Sequence, residues 1–231
     1  MKKESEQSDF RYSTAQVEQE GFQYTFDQAE QECEVRETSA YKAGEELKTI
    51  EDYYALPDDE RVELIDGRFY AMSAPTVNHQ AWLVELVLLF RKYIDEKEGR
   101  CKVYIAPCDV RLDKDDYTMV QPDLMICCKR DQITEKRIEG VPDFVLEVTS
   151  PSSAYMDRHK KRQKYCDAGV REYWIVDSQK ETVTVYHFEK SGEPVYYTFA
   201  DKVPVGIYGE DCKIDFAQIR RRLSYFDEKR R

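Results

Sequence analysis

The sequence predicts an α/β domain: a mixed central sheet with flanking helices and a C-terminal β-meander. Three observations predict it. Trp82, Leu83, Leu86, Leu89, Phe90 and Tyr93 recur at the three-to-four spacing of a helix with one apolar face. Short apolar, β-branched-rich runs at 120–128 (VQPDLMICC), 144–148 (FVLEV) and 172–177 (EYWIVD) read as buried strands. Residues 182–188 (TVTVYHF) alternate with period two, as an antiparallel neighbour of the strand before them would.

In chain order, residues 49–54 (TIEDYY) form a short helix with Thr49 as its cap, ending before Pro57. Residues 62–72 (VELIDGRFYAM) read as a hairpin turning at Asp66-Gly67, a strong turn dipeptide. The long helix follows across 75–98, with His79 near its start. Residues 101–112 (CKVYIAPCDVRL) are a strand interrupted by Pro107, which marks an edge, a bulge or a bend. A charged turn at 113–117, with acids facing solvent, and a polar connection at 129–140 flank the first buried run. Pro151 ends the second, and Ser152 or Ser153 can cap the next helix. Along that helix Asp157, Lys161, Tyr165 and Ala168 are three or four apart and share an inward face, and Gly169 supplies the C-cap. Segments 195–199 and 203–208 complete the β-rich end, and 215–223 closes the domain as an amphipathic helix.

A chain of 231 residues can bury a full core in one domain with a tail to spare. No run of 18 or more apolar residues is present, and the opening MKKESEQSDF has no apolar h-region. A cytoplasmic protein with no membrane partner is expected. Seven cysteines, odd in number and without a C-x-x-C pair, read as small buried hydrophobes of a reducing compartment rather than a zinc site or disulfide framework. Cys127 and Cys128 are adjacent in a strand and point to opposite faces. There is no P-loop, Rossmann glycine pattern or nucleophile elbow, and the three histidines are too scattered to suggest Ser-His-Asp chemistry.

The net charge of −11 argues against tight non-specific nucleic-acid binding, but it is unevenly spread. Residues 1–46 hold 12 acids and 5 bases, so 47–231 carries only −4. Residues 155–172 hold six bases and three acids.

The chemistry-bearing stretch is 120–161. Asp123 and Glu147 are each set into an apolar strand, and a carboxylate there is costly to bury without a compensating charge or ion. Acids on neighbouring strands can share a divalent cation, since Mg²⁺ takes oxygen ligands and one or two carboxylates suffice. Without a cation between them the two acids repel, so replacing either is expected to stabilise the metal-free protein. Lys160, Lys161 and Lys164 follow the Ser-Pro turn. Acid, acid and lysine in that order equip a site for metal-assisted phosphodiester hydrolysis. Of the three, Lys161 lies on the inward face, Lys160 beside it, and Lys164 borders the same stripe as the rival.

Several motifs carry a family resemblance. Pro122-Asp123 and then Glu147 resemble the PD-(D/E)xK nuclease superfamily. ELIDG (63–67), MSAP (72–75), QPD, LEVTSPS and AGVREYWIVD (168–177) resemble, more closely, the Uma2 family of endonuclease-like proteins (DUF820-like) across roughly residues 49–188. The resemblance implies a restriction-endonuclease-like αβββαβ core, Mg²⁺ or Mn²⁺ as cofactor and DNA as substrate. It implies Asp123 and Glu147 as metal ligands and catalytic residues, with Glu63 as an upstream acid completing the metal site. The superfamily lysine stands two residues after the glutamate; here that residue is Thr149, and the D-R-x-x-K pattern of 157–161 moves the role to Lys161. His79, Asp109, Gln121 and Lys164 form a second tier. Lys160, Arg158 and Arg162 are expected nucleic-acid contacts, and a homodimer is compatible with the sequence. A catalytically silent scaffold binding DNA or protein is the alternative.

Residues 1–46 are polar and acidic with scattered aromatics and no sustained period, which predicts a tail outside the folded domain with at most a weak helix near 26–34. Amide exchange over 1–46 should be fast, and deleting the segment should leave the thermal midpoint nearly unchanged. Strong protection across residues 22–41 would instead reveal a docked element.

Overall fold

The computed structural model describes residues 46–57, 59–112, 115–209 and 211–228. The predicted N-terminal tail, its weak helix included, lies outside them except for Glu46. The first elements are as expected. Helix α1 (Ile50–Tyr54) begins at Thr49, whose side chain and that of Asp52 cap each other's backbone reciprocally. Strands β1 (Val62–Ile65) and β2 (Arg68–Ala71) form a hairpin around Asp66 and Gly67, both at positive φ. Helix α2 (Val77–Glu96) starts at the N-cap Thr76.

The central layer is a six-stranded sheet. It contains β3 (Lys102–Ile105), β5 (Leu124–Cys127), β7 (Phe144–Thr149), β8 (Glu172–Asp177), β9 (Thr182–His187) and β10 (Pro194–Thr198), in the order β10-β9-β8-β7-β5-β3. Only β7 and β8 run parallel, and the crossover between them is helical: α3 (Ala154–Met156), a π-helical turn (Asp157–Lys161) and α4 (Arg162–Ala168) in unbroken succession. Taken in sequence, α2, β3, β5, β7, this helix and β8 give the αβββαβ order. Strands β8, β9 and β10 form the predicted meander. Short pairs lie outside the sheet: β4 (Val110–Arg111) with β6 (Ile138–Glu139), and β11 (Lys202–Pro204) with β12 (Lys213–Asp215). Helices α5 (Phe216–Arg222) and α6 (Tyr225–Glu228) follow. No helix among the described residues is long and apolar enough to cross a membrane.

Helices cover both sheet faces, so every residue of β5, β7 and β8 is buried. On one face Trp82, Leu86 and Phe90 of α2 and Phe216 of α5 pack on Leu124, Phe144 and Trp174. On the other, Tyr165 packs with Met125, Val145, Tyr173 and Ile175. Strand alternation places Glu147 between Val145 and Thr149 on this second face, so its carboxylate is driven into the interior.

Five expectations are corrected. The strand predicted over 120–128 begins only at Leu124, because Pro122 has no N–H to donate, and Met119 and Val120 bridge instead to Leu64 and Val110. Asp123 therefore stands at the strand's threshold rather than within it. The connection at 129–140 contains β6, and the segment at 203–208 contributes only its first residues to a strand. Cys101 and Cys128 form a disulfide, against the expectation of reduced cysteines; the antiparallel pairing of Lys102 with Cys127 sets the two flanking residues opposite each other. Ser153 occupies the N-cap position, yet its Oγ accepts from the Ser150 N–H at 3.0 Å and makes no capping bond. Cys127 and Cys128 do face opposite sides.

Phe90 is fully buried, with its ring centroid 5.2 Å from that of Phe144 and 6.2 Å from that of Trp174. Phe90→Ala should cost about 3–5 kcal/mol in denaturant unfolding, the range for a large aromatic lost from a packed core.

Candidate active site

Four elements bring the sequence-predicted residues together. The Lys161 ammonium lies 2.9 Å from Glu63 Oε1 of β1 and 3.0 Å from Glu147 Oε1 of β7. Glu147 Oε1 also accepts from the Tyr165 hydroxyl at 2.9 Å, while Oε2 accepts from the Asp123 N–H at 3.2 Å. Asp123 Oδ2 accepts from the Val148 N–H at 2.8 Å and lies 3.0 Å from His79 Nε2, at the start of α2. Glu63, Glu147 and Lys161 are at most 5 % exposed, whereas the Asp123 side chain retains 19 %. The cluster thus has a sealed interior and one acid reaching towards solvent.

Lys161 reaches the sheet through the π-helical turn, a widened turn often found at functional sites. Asp157, at the head of that turn, is also buried. Thr149 fills the position of the superfamily's usual lysine; its hydroxyl turns to Ser150 O and Ser153 Oγ, and it also hydrogen-bonds the Asp157 carboxylate.

Burial opposes the charge on Lys161, but Glu147, Glu63 and Asp157 outweigh it and hold the ammonium proton on. Burial pushes the Glu147 carboxyl well up; Lys161 pulls it down against repulsion from Asp123, Asp157 and Glu63. Burial lifts Asp157 to about 6, despite the attraction of Lys161 and a hydrogen bond from Ser153. Burial and the Glu147 charge likewise raise the Tyr165 phenol, which stays a donor.

The cation beside Glu147 is the lysine itself, which lies between Glu147 and Glu63, while Asp123 still repels Glu147. Truncating Glu147 would strand Tyr165 and half of the Lys161 pairing, and truncating Asp123 would strand the Val148 N–H. Oxygen ligands in excess of positive charge nevertheless suit a hard divalent ion. Among the described residues no three acid, histidine or cysteine side chains gather as a ligand cluster. Asp123 and Glu147 are the pair that could hold a metal, with water completing its shell; Glu63 is engaged by Lys161 and by the Gln121 N–H at 2.8 Å.

The second tier divides. His79 joins the site through Asp123, and its Nδ1 is buried with no partner. Gln121 links Glu63 to a neighbouring network in which its Nε2 donates to Asp109 Oδ1 and the Tyr53 hydroxyl. Asp109 is held there by Tyr53 and Tyr54, away from the lysine. Lys164 pairs with Asp66 of the hairpin turn. Lys160 donates to the Tyr70 hydroxyl, Arg158 pairs with Asp177 at 3.4 Å, and Arg162 lies over the Tyr186 ring.

Residues 50–205 match the family model of Uma2, "Putative restriction endonuclease", well over half of the chain. The chain belongs to the Uma2 family. This Uma2 chain is 26 % identical over 160 residues to an uncharacterised protein, slr1290, of Synechocystis sp., a match covering 68 % of the chain and 82 % of that protein. Its fold is similar to a crystal structure of a "putative nuclease belonging to DUF820" from Anabaena variabilis, with a TM-score of 0.61 and 18 % identity, covering 74 % of the chain and 96 % of the other.

Two members of the Uma2 cluster escaped the sequence reading. Tyr165 was legible only as a core residue, since nothing in a sequence shows where a phenol ends. Asp157 did carry a signal, four residues before Lys161 on a face that otherwise packs inward. An acid whose folded pKa is raised favours the fold when protonated, so its contribution is present near pH 4 and lost as pH rises through about 6. The thermal midpoint of Asp157→Asn, measured against the parent, should therefore gain more at pH 7.5 than at pH 4.5.

Proposed function

We propose that this chain is a divalent-metal-dependent DNA endonuclease hydrolysing phosphodiester bonds. The observation that carries this reading is the buried Lys161 ammonium against Glu147, with Asp123 one hydrogen bond further on and partly exposed. Membership of a family described as restriction endonucleases supports the same reaction class.

In this reading Asp123 and Glu147 hold Mg²⁺ or Mn²⁺. When bound, the ion supplies Lewis-acid polarisation of the scissile phosphate and a lowered pKa for the attacking water. The other roles belong to side chains on the page. His79 and the Val148 N–H fix Asp123 Oδ2, so the remaining oxygen is the one free to serve as ligand. Tyr165 orients Glu147 in the same way. Lys161 orients the water or stabilises the negative charge added in the transition state, and Glu63 keeps that lysine charged and aimed. Lys160, Arg158 and Arg162, on the same helical segment, meet backbone phosphates.

A second reading is a catalytically silent member of the fold that serves as a DNA- or protein-binding scaffold. It is favoured by one observation: the Lys161 charge is already shared by two buried carboxylates, as in a purely structural ion pair.

Plasmid and single-stranded DNA incubated with the protein in Mn²⁺, Mg²⁺ or EDTA separate the two. Cleavage is expected with the ions and not with the chelator, and calorimetry should show Mn²⁺ binding lost in Asp123→Ala and Glu147→Ala. Lys161→Ala should lower the rate by about 10²-fold or more while Mn²⁺ still binds. Because this variant leaves two buried acids uncompensated, assays belong below its lowered melting temperature. If both acid variants bind Mn²⁺ like the parent, the site is misassigned; a large loss in Lys164→Ala with Lys161→Ala active would move the lysine role one turn on.

A further inference from the structure

A second polar feature stands apart from the acid cluster. An open cavity of about 400 Å³ is lined by Lys180 and Glu181 of the β8–β9 turn, by Phe199 and Ala200 after β10, and by Arg220 and Arg221 of α5. Three cations face one acid there, and that acid is paired: Arg220 lies 2.8 Å from Glu181. The cavity therefore carries a net of two positive charges on a protein whose formal charge is −11. Lys180 and Arg221 are exposed, so their heads are accessible to an anion.

The walls are preformed. Phe199 N–H donates to Glu181 O at 2.9 Å, fastening the end of β10 to the turn. The Phe199 ring is buried against Trp82 and Phe216, with centroids 4.6 and 5.2 Å away. Trp82 stands three residues after His79 on α2, so the ring that supports Phe199 and the ring that touches Asp123 share one rigid helix.

Strand register sets the distance. Thr149, two residues beyond Glu147, pairs with Asp177; Asp177 pairs with Thr182, and Thr182 with Thr198. The end of β7 beyond Glu147 and the end of β10 that borders the cavity thus lie at the same end of the sheet, three interstrand spacings or about 14 Å apart along it, with Glu147 on the Tyr165 face and the cavity on the face covered by α2 and α5. Arg158, paired with Asp177, lies on the row between them.

We propose that this cavity is a phosphodiester-binding subsite, in which Lys180 and Arg221 grip the nucleic-acid backbone at the same end of the sheet as the bond being cut but away from it. The subsite rests on the endonuclease reading of the acid cluster and adds to it the place where a strand is anchored. It also resolves the tension between an acidic chain and an anionic substrate: attraction is local, and it lies beyond the catalytic acids rather than among them.

The test uses Lys180→Ala/Arg221→Ala in the full chain, with Lys92→Ala as control, on the opposite half of α2 from His79 and Trp82. Binding to a labelled duplex in EDTA is followed from 50 to 200 mM salt, and plasmid cleavage in Mn²⁺ gives KM and kcat. Loss of two phosphate contacts should flatten the log–log salt slope by about 1.8. KM should rise several-fold with kcat unchanged, and the Lys92 control should match the parent in all three. A double variant with the parent's slope and KM, in a preparation that still cleaves, would overturn the subsite and leave the endonuclease reading intact. A parent that neither binds nor cleaves DNA under any ion would remove both.

Discussion

The pairing of Lys161 with Glu63 and Glu147 is the constraint on which the rest depends. A carboxylate in the middle of a sheet covered on both faces is untenable without a partner, and β7 puts Glu147 there. Answering it requires a long cationic side chain delivered through the crossover helix, and a second acid, Glu63, to keep that cation charged at such depth. One ammonium therefore ties the β1–β2 hairpin, the central sheet and the crossover helix together. Truncating the lysine would leave two buried anions and lose both connections at once.

This arrangement also grades the site from inside to outside. Glu63, Glu147 and Asp157 are sealed, and their mutual repulsion leaves the interior short of positive charge. Asp123 stands where the sheet meets solvent, because β5 begins only at Leu124, after Pro122. Had the strand begun earlier, Asp123 would have been drawn into the ladder and the pocket would have lacked an accessible oxygen. The fixed N–H of Val148, freed from strand pairing to reach Asp123 Oδ2, orients the acid without help from a flexible side chain.

Most of the architecture was legible because it rests on periodicity. The α2 stripe, the three buried strands and the β9 alternation each repeat often enough to be read, and the αβββαβ order follows from them. What escaped was short or depended on partners distant in sequence. Strands β4 and β6 are two residues each and form only because each finds the other. The Cys101–Cys128 bond depends on a register that composition does not reveal. At the site, the gathering of Asp123, Glu147 and Lys161 near one another followed from apolar flanks and helix spacing. The direction taken by Glu63 did not, because a strand residue's face is settled by the layer that packs on it.

The π-helical turn has a consequence of a different kind. Such a turn carries one residue more than the α-helical turn it replaces. Residues 157–161 thus hold a surplus that sets the angular phase between the two ends of the crossover helix. Removing the surplus residue would restore a regular turn with its two ends in nearly the same phase, whereas the same deletion within α4 would rotate the segments on either side of it by about 100° against each other. Lys161 and Tyr165 would then no longer face Glu147 together. The crossover helix thus absorbs a lost residue where it is widest, and a single-codon deletion dismantles the cluster from within α4 but not from the π-helical turn.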